Sequence, residues 1–155
     1  MLSQTADYAV RAVLGIAARG SRDEAVRVAD LAKELGIPQN YLSKILHRLA
    51  QRGLLVSARG RRGGFRLAAR AGSTPLAEVV GAFDVMEQRT YCLLGRPTCS
   101  DRRPCAAHAR WKRVSDHWLA FFRETTIAEL IVQEEEAGVA ERPATKVARA
   151  PRESR

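Results

Sequence analysis

Apolar residues recur along the first third of the chain with the period of an α-helix, about 3.6 residues. Residues 3–19 form one such stretch, "LAKEL" at residues 31–35 a second and residues 38–52 a third. Asp30 can start or cap the second stretch, and Gly36 ends it in the left-handed conformation that glycine tolerates. Pro38 opens the third stretch. Two helices joined by a short glycine-containing turn are typical of the helix-turn-helix motif.

The third stretch has one apolar face and one polar face. Its apolar stripe is predicted to contain Tyr41, Leu42, Ile45, Leu46 and Leu49. Its outward face carries Asn40, Ser43, Lys44, His47 and Arg48. Side chains of these polar and basic types reach base edges and phosphates, so this helix is predicted to read DNA.

A change of period follows Gly53. Residues 54–58 and 65–68 read as two short strands around a turn rich in glycine and arginine. Glycine permits the tight turn, and arginine at its tip would approach phosphates or the minor groove. The pattern predicts a β-hairpin wing, and with it a winged helix-turn-helix.

Charge supports that interpretation. The chain of 155 residues has a formal net charge of +9, and residues 44–70 contain no Asp or Glu. The basic residues of that segment are Lys44, Arg48, Arg52, Arg59, Arg61, Arg62, Arg66 and Arg70. A solvated basic face is the alternative, but the winged-helix context favours a polyanion, double-stranded DNA, as the partner.

Two further helices are predicted after the wing. Residues 73–84 start with Ser73 or Thr74 as the N-cap, and residues 110–131 form one long amphipathic helix. Its apolar positions alternate in steps of three and four, as in a coiled coil. We predict that they form a homodimer seam, although a core helix of the same chain is the alternative; the seam residues are Trp111, Val114, Trp118, Phe121 and Phe122.

The resulting fold class is mainly α, a winged helix-turn-helix domain with a small β-hairpin wing and a long C-terminal dimerisation helix. We predict a DNA-binding domain over 1–83, a cysteine loop with the dimerisation helix over 84–132, and a disordered basic tail over 133–155. No run of about 18 apolar residues is present, which predicts no membrane span. The odd number of cysteines favours a reducing cytoplasm over a disulfide framework, and no catalytic constellation is visible, so an enzyme with a small-molecule substrate is not expected.

All three cysteines and a histidine lie in one short segment, in the pattern C-x6-C-x5-C-x2-H. Cys105 is predicted in the first turn of the long helix, with His108 on the same face, where the helix N-terminus would lower the pKa of a thiol. Three thiolates and an imidazole suit an iron–sulfur cluster or zinc. Gaps of six and five residues are long for a single zinc ion, so spacing favours the cluster; thiol chemistry without metal is the third alternative.

The sequence resembles the IscR/NsrR/RirA-type family of bacterial winged-helix transcriptional regulators. The resemblance rests on "TADYAVRAVLGIA", "GIPQNYLSKILHRLAQRGLLVSARGRRGGFRLA", "PLAEVVGAFD", the three-cysteine loop and "ARWKRVSDHWLAFFRETTIAELI", and it covers about residues 1–132. It implies a cytoplasmic homodimer that binds palindromic promoter DNA, as a repressor, and senses iron–sulfur, iron, nitric oxide or redox status through a bound cluster.

Site residues transfer from the resemblance one by one. Cys92, Cys99 and Cys105 match the family's cluster cysteines, and His108 matches the histidine ligand of the IscR-like 2Fe–2S branch. Asp7 falls where the NsrR-like branch has an aspartate that ligates a 4Fe–4S cluster from the partner subunit, so it is an alternative fourth ligand. The first gap has six residues where the IscR-like pattern usually has five.

The predicted function is therefore a DNA-binding regulator with a 2Fe–2S cluster favoured, a 4Fe–4S cluster possible and zinc as the alternative. Its predicted DNA-contacting residues are Gln39, Asn40, Tyr41, Ser43, Lys44, His47, Arg48, Arg59, Arg61 and Arg62. Two rival functions remain: a constitutive DNA-binding module with a structural zinc site, and a winged helix that binds other proteins.

Overall fold

The computed structural model describes residues 2–19, 24–60, 63–86, 92–97 and 99–136. The helices are α1 (Gln4–Ala17), α2 (Val28–Leu35), α3 (Gln39–Gln51), α4 (Leu76–Gly81), α5 (His108–Glu124) and α6 (Ile127–Glu136). Two antiparallel strands, β1 (Leu55–Ala58) and β2 (Gly64–Leu67), form the wing, and a 3-10 turn spans Ala71–Ser73. The predicted mainly α, winged helix-turn-helix class is confirmed.

Helix α1 lies at the centre of the fold and packs against α2, α3, α4, α6 and β2. Its completely buried residues are small, namely Ala6, Ala9, Ala12 and Val13, and Leu14 and Ile16 are nearly buried beside them. Short side chains let neighbouring helices approach closely, so one helix can serve as the packing surface for several others.

The turn between α2 and α3 forms as the sequence predicts. Gly36 adopts the left-handed conformation with φ 65°, and the amide of Ile37 donates to the carbonyl of Ala32 at 3.0 Å. In α3 the apolar stripe is buried except at its first position. Tyr41 is 38% exposed, and its hydroxyl lies 2.5 Å from that of Thr5 in α1, so its predicted burial is wrong.

The wing is anchored to the core through β2. The strands pair from Leu55 opposite Leu67 to Ala58 opposite Gly64, within one residue of the predicted bounds. Phe65 is buried, and its backbone pairs with Val26 in an isolated bridge with N–O distances of 2.8 and 2.9 Å. Arg61 and Arg62, at the tip of the turn, lie outside the described residues.

The predicted single long helix over 110–131 is wrong, because the chain breaks at Thr125 and Thr126. Thr125 is extended (φ −82°, ψ 124°), and a new helix starts at Ile127. Thr126 and Glu129 form a reciprocal capping box: the amide of Glu129 donates to Thr126 Oγ1 at 3.3 Å, and the amide of Thr126 donates to Glu129 Oε2 at 2.7 Å.

The same break completes α4. The amide of Leu76 donates to the carbonyl of Thr125 at 2.9 Å, so a backbone carbonyl satisfies the start of α4. Neither predicted N-cap acts as one, because the hydroxyls of Ser73 and Thr74 both donate to the carbonyl of Arg70.

Folding α6 back places it against α1, and Ile127 is fully buried in the core. Phe122 is only 7% exposed and joins the same core, so its assignment to a dimer seam is wrong. Helix α6 continues to Glu136, past the predicted start of the tail at 133; residues 137–155 lie outside the described residues. None of the described helices is long and apolar enough to cross a bilayer.

Gly64 tests how tightly the wing is fixed to the core. A Cβ on Gly64 would overlap the carbonyl of Val26, lying 2.6 Å from its carbon, whereas a Cβ on Gly81 meets nothing within 4 Å. We expect Gly64→Ala to lower the free energy of unfolding by about 1–3 kcal/mol through overpacking. Gly81→Ala, the control, should leave it unchanged or raise it by up to about 1 kcal/mol in urea denaturation. Equal stability of the two variants would contradict the Val26–Phe65 bridge.

Candidate metal centre and nucleic-acid interface

The cysteine segment begins with a tight turn that returns the chain on itself. The amide of Gly95 donates to the carbonyl of Cys92 at 3.0 Å, and Gly95 has φ 73°. Farther along, the guanidinium of Arg96 donates to the carbonyls of Arg103 and Pro104. These contacts bring the first and third cysteines together: Cys92, which is buried, has its sulfur 3.6 Å from that of Cys105.

The second cysteine pairs with the histidine. The sulfur of Cys99 lies 3.3 Å from Nδ1 of His108, which is 8% exposed and is the first residue of α5. Cys105 was predicted in the first turn of this helix. That prediction is wrong, because Cys105 lies in the turn that precedes the helix. Its carbonyl accepts from the amide of His108 at 3.0 Å, and this turn separates the residue from the helix N-terminus.

A third group, which the sequence interpretation missed as part of the site, lies on the far side of the imidazole. Asp101 Oδ1 is 2.7 Å from His108 Nε2. Lys112 Nζ, four residues after His108 on α5, donates to both oxygens of Asp101 at 3.1 and 2.8 Å. The spacing D-x6-H-x3-K was visible in the sequence, but only the fold of the loop turns it into a contact.

Local hydrogen bonds and burial shift the pKa values of the cysteine thiols and of the Asp101 carboxyl in different directions. Backbone N–H groups of Arg96 and Leu94 lower the pKa of Cys92. Burial raises the pKa of Cys99, and the neighbouring Cys92 and Cys105 raise it further. The hydrogen bond from Lys112, followed by that from His108, lowers the pKa of Asp101, which therefore stays ionised near neutral pH. At Cys92 the hydrogen bonds that favour the thiolate come from amides of the loop, not from a helix N-terminus.

The four predicted donors thus form two pairs of contacting side chains. Cys92 pairs with Cys105, and Cys99 pairs with His108. Within the described part of the chain, no three His, Cys, Asp or Glu side chains are grouped to hold one metal ion. Asp7 lies in the first turn of α1, is exposed, and contacts Arg11 of the same helix at 3.8 Å. A role for it as fourth ligand would require a partner subunit.

Seven of the predicted DNA-contacting residues lie on α3. Gln39, Asn40, Tyr41, Lys44, His47 and Arg48 are exposed and Ser43 is half-buried. His47 packs its ring edge-on against Phe65 with centroids 5.1 Å apart, which joins α3 to the wing. Arg59, the residue after β1, is exposed on the wing.

Arg48 makes a contact that the sequence did not predict. Its Nε donates to the carbonyl of Ala82, just after α4, at 2.6 Å, and its guanidinium lies 5.5 Å from the ring centroid of Phe83. This side chain therefore links α3 to the end of α4.

A sequence profile of the Rrf2 family, described as "Iron-dependent Transcriptional regulator", matches residues 2–133. The chain belongs to the Rrf2 family. The suspected family resemblance is confirmed, and the members named below are transcriptional regulators, not enzymes.

Similar proteins extend over most of this Rrf2-family chain. The HTH-type transcriptional regulator IscR of Citrobacter koseri is 35% identical over 144 residues, which cover 93% of this chain and 87% of that protein. Among solved structures, T. potens IscR aligns with a TM-score of 0.68 at 20% identity over 92% of this chain and 93% of that one. CymR of B. subtilis, the global cysteine regulator, aligns with a TM-score of 0.68 at 16% identity, over 86% of this chain and 97% of that one. At these identities the two structures support the fold alone.

Proposed function

We propose that this Rrf2-family regulator binds palindromic promoter DNA as a homodimer, acts as a repressor, and senses iron–sulfur, iron, nitric oxide or redox status through a 2Fe–2S cluster held by Cys92, Cys99, Cys105 and His108. The observation that carries the cluster part of the proposal is the arrangement of the four donors in two pairs, with separations of 3.6 and 3.3 Å. The family's iron-dependent description supports it.

The two-pair arrangement fits a 2Fe–2S centre because each of its irons takes two protein ligands. Two thiolates that bind one tetrahedral metal at about 2.3 Å lie about 3.8 Å apart, close to the Cys92–Cys105 separation. A structural zinc ion needs all four donors around one point, and a 4Fe–4S cluster needs each donor on a separate iron. Pairing therefore favours the 2Fe–2S assignment over both alternatives.

When bound, such a cluster supplies one-electron chemistry at a potential that its ligands, hydrogen bonds and burial set. The chain's own residues then connect the ligands to the DNA-reading helix. His108 opens α5, α5 packs on α4, and Arg48 of α3 donates to the carbonyl of Ala82 at the end of α4. A shift of the cysteine loop would therefore be passed on to α3 through contacts that already exist.

The DNA-binding part of the proposal rests on the exposed polar face of α3 and on the wing. Lys44 is exposed on that face, and Arg59 is exposed where the wing turns. We assign phosphate contacts to these side chains, and base contacts to Asn40 and Ser43 near the start of α3.

The homodimer is supported by apolar side chains on the outer face of α5. Val114 is 60% exposed and Phe121 is 49% exposed, whereas Phe122 beside them is buried in its own chain. A second copy packed along α5 would cover Val114 and Phe121 and, with them, the half-buried Trp111 and Trp118. Regulators of this class commonly pair two recognition helices about one turn of DNA apart, and a two-fold axis along α5 would relate the two copies of α3.

Lys44 and Arg48, both basic and both exposed on α3, should differ in their effect on DNA binding. Lys44→Ala should weaken binding to a mixed-sequence duplex and lower the slope of log affinity against log salt by about one per subunit, because a phosphate contact is lost. Arg48→Ala should instead lower the thermal stability, because the carbonyl of Ala82 loses its hydrogen-bond donor. It should change the slope of log affinity against log salt less than Lys44→Ala does. Fluorescence anisotropy at several salt concentrations measures both variants. The opposite ranking of the two slopes would remove Lys44 from the phosphate contacts.

The ligand set can be tested with two histidines of the same helix. Protein purified without oxygen should be coloured and contain two irons and two sulfides per chain. His108→Ala should alter or abolish the visible spectrum, while His117→Ala, an exposed histidine on α5, should leave it unchanged. Asp7→Ala should also be silent. One zinc per colourless chain, or a spectrum sensitive to Asp7 but not to His108, would contradict the 2Fe–2S assignment.

A thiol switch is a second candidate function, because Cys92 and Cys105 lie close enough to form a disulfide after a small movement. With hydrogen peroxide as the oxidant, one thiolate is oxidised to a sulfenic acid; the other thiolate then attacks that sulfur and hydroxide leaves. The net reaction converts two thiols and one peroxide into one disulfide and two waters.

Mass spectrometry of peroxide-treated, metal-free protein tests this second candidate. We expect a Cys92–Cys105 disulfide that also forms in Cys99→Ser and does not form in Cys105→Ser. Oxidation of Cys99 alone, with Cys92 and Cys105 still reduced, would rule out the switch.

A further inference from the structure

The contacts of His108 distinguish its two ring nitrogens. Nε2 lies 2.7 Å from Oδ1 of Asp101, and Nδ1 lies 3.3 Å from the sulfur of Cys99. An ionised carboxylate only accepts hydrogen bonds, so in neutral imidazole the proton belongs on Nε2 and the lone pair on Nδ1. That lone pair faces the thiol with which His108 forms a donor pair.

The carboxylate is itself held in place. Lys112 donates to both oxygens of Asp101, and it lies on the same face of α5 as His108, one turn farther along. The carboxylate of Asp101 therefore bridges two residues of one helix face and closes the loop onto α5.

We propose that Asp101 is a positioning residue of the metal centre: it holds the proton of His108 on Nε2, so that the ligating atom is Nδ1, and Lys112 fixes its orientation. The metal-binding part rests on the function proposed above. The proton position is a property of the metal-free chain and can be tested without any cluster.

The solvent exposure of Asp101 allows its positioning role to be distinguished from a role in stabilising the fold. The side chain of Asp101 is 72% exposed, and ion pairs that exposed contribute little to folding. Removing Asp101 should therefore leave thermal unfolding nearly unchanged while it changes the state of the imidazole. A carboxylate behind a histidine ligand typically changes metal affinity by about 10–100-fold.

Asp116 provides a matched control. It is an exposed carboxylate on α5 whose charge raises the pKa of Lys112, as that of Asp101 does more strongly, and it lines the same surface depression beside Cys99 and His108. Asp116→Ala removes the same charge from the same neighbourhood while the Asp101–His108 bond stays in place.

The first experiment uses the full-length, metal-free protein, with long-range ¹⁵N–¹H NMR of its three histidines at about pH 8.5, where histidines are neutral. His108→Gln assigns the signals. Wild type and Asp116→Ala should show His108 with its proton on Nε2, and Asp101→Ala should raise the Nδ1–H form several-fold. Lys112→Met should produce a smaller shift in the same direction. An Nδ1–H form in the wild type, or no change in Asp101→Ala, would overturn the proposal.

The second experiment uses the loaded protein with histidine labelled with ¹⁵N at the δ1 or at the ε2 position. Pulsed electron paramagnetic resonance of the reduced cluster should show the strong nitrogen coupling on the δ1 label, and Asp101→Ala should lose iron to a chelator about 10–100-fold more readily than Asp116→Ala. A strong coupling on the ε2 label would overturn the proposal. Protein that holds no iron would refute the proposed function instead, and the NMR result alone would then decide the position of the proton.

Discussion

The close packing around α1 is the constraint on which the rest of the structure depends. Three alanines and a valine are completely buried on one side of this helix, and four other helices and β2 rest against it. Because an alanine side chain adds so little volume, α3 and α6 both pack directly against α1. Any side chain larger than a methyl at Ala6, Ala9 or Ala12 would push these helices apart.

Regular periodicity made the DNA-binding half predictable from the sequence. Local rules predict the apolar stripe of α3, the left-handed Gly36 and the strands of the wing. The structure differs from these predictions at the ends of the elements and at Tyr41. The ring of Tyr41 lies at the edge of the stripe, and its hydroxyl contacts that of Thr5. The break before α6 was missed because the apolar spacing continues across it. The local signal was the pair Thr125–Thr126 followed by Glu129, a capping-box pattern inside an otherwise helical stretch.

For the candidate site, the sequence predicted that four donors lie close together, but not which donors contact each other. Spacing gave the three cysteines and His108 as a set, because they are close in sequence. Which sulfur faces which partner depends on how the loop turns at Gly95 and on the contacts of Arg96 with the end of the segment. Asp101 could not be assigned as a partner of His108 for the same reason, since no period relates a loop residue to the face of a helix that follows it.

The cysteine segment is closed largely by its own short-range bonds, from Gly95 to Cys92, from Arg96 to Arg103 and Pro104, and from His108 to Cys105. These bonds close the backbone of the segment on itself, while Asp101 joins the segment to α5 through His108 and Lys112. The resemblance gives five residues as the usual gap, and the sixth residue between Cys92 and Cys99 changes the free energy of closing the loop by about 0.1–0.2 kcal/mol. One more residue in the cysteine segment therefore costs little chain entropy, and the geometry of the contacts that join the segment to α5 is what limits its length.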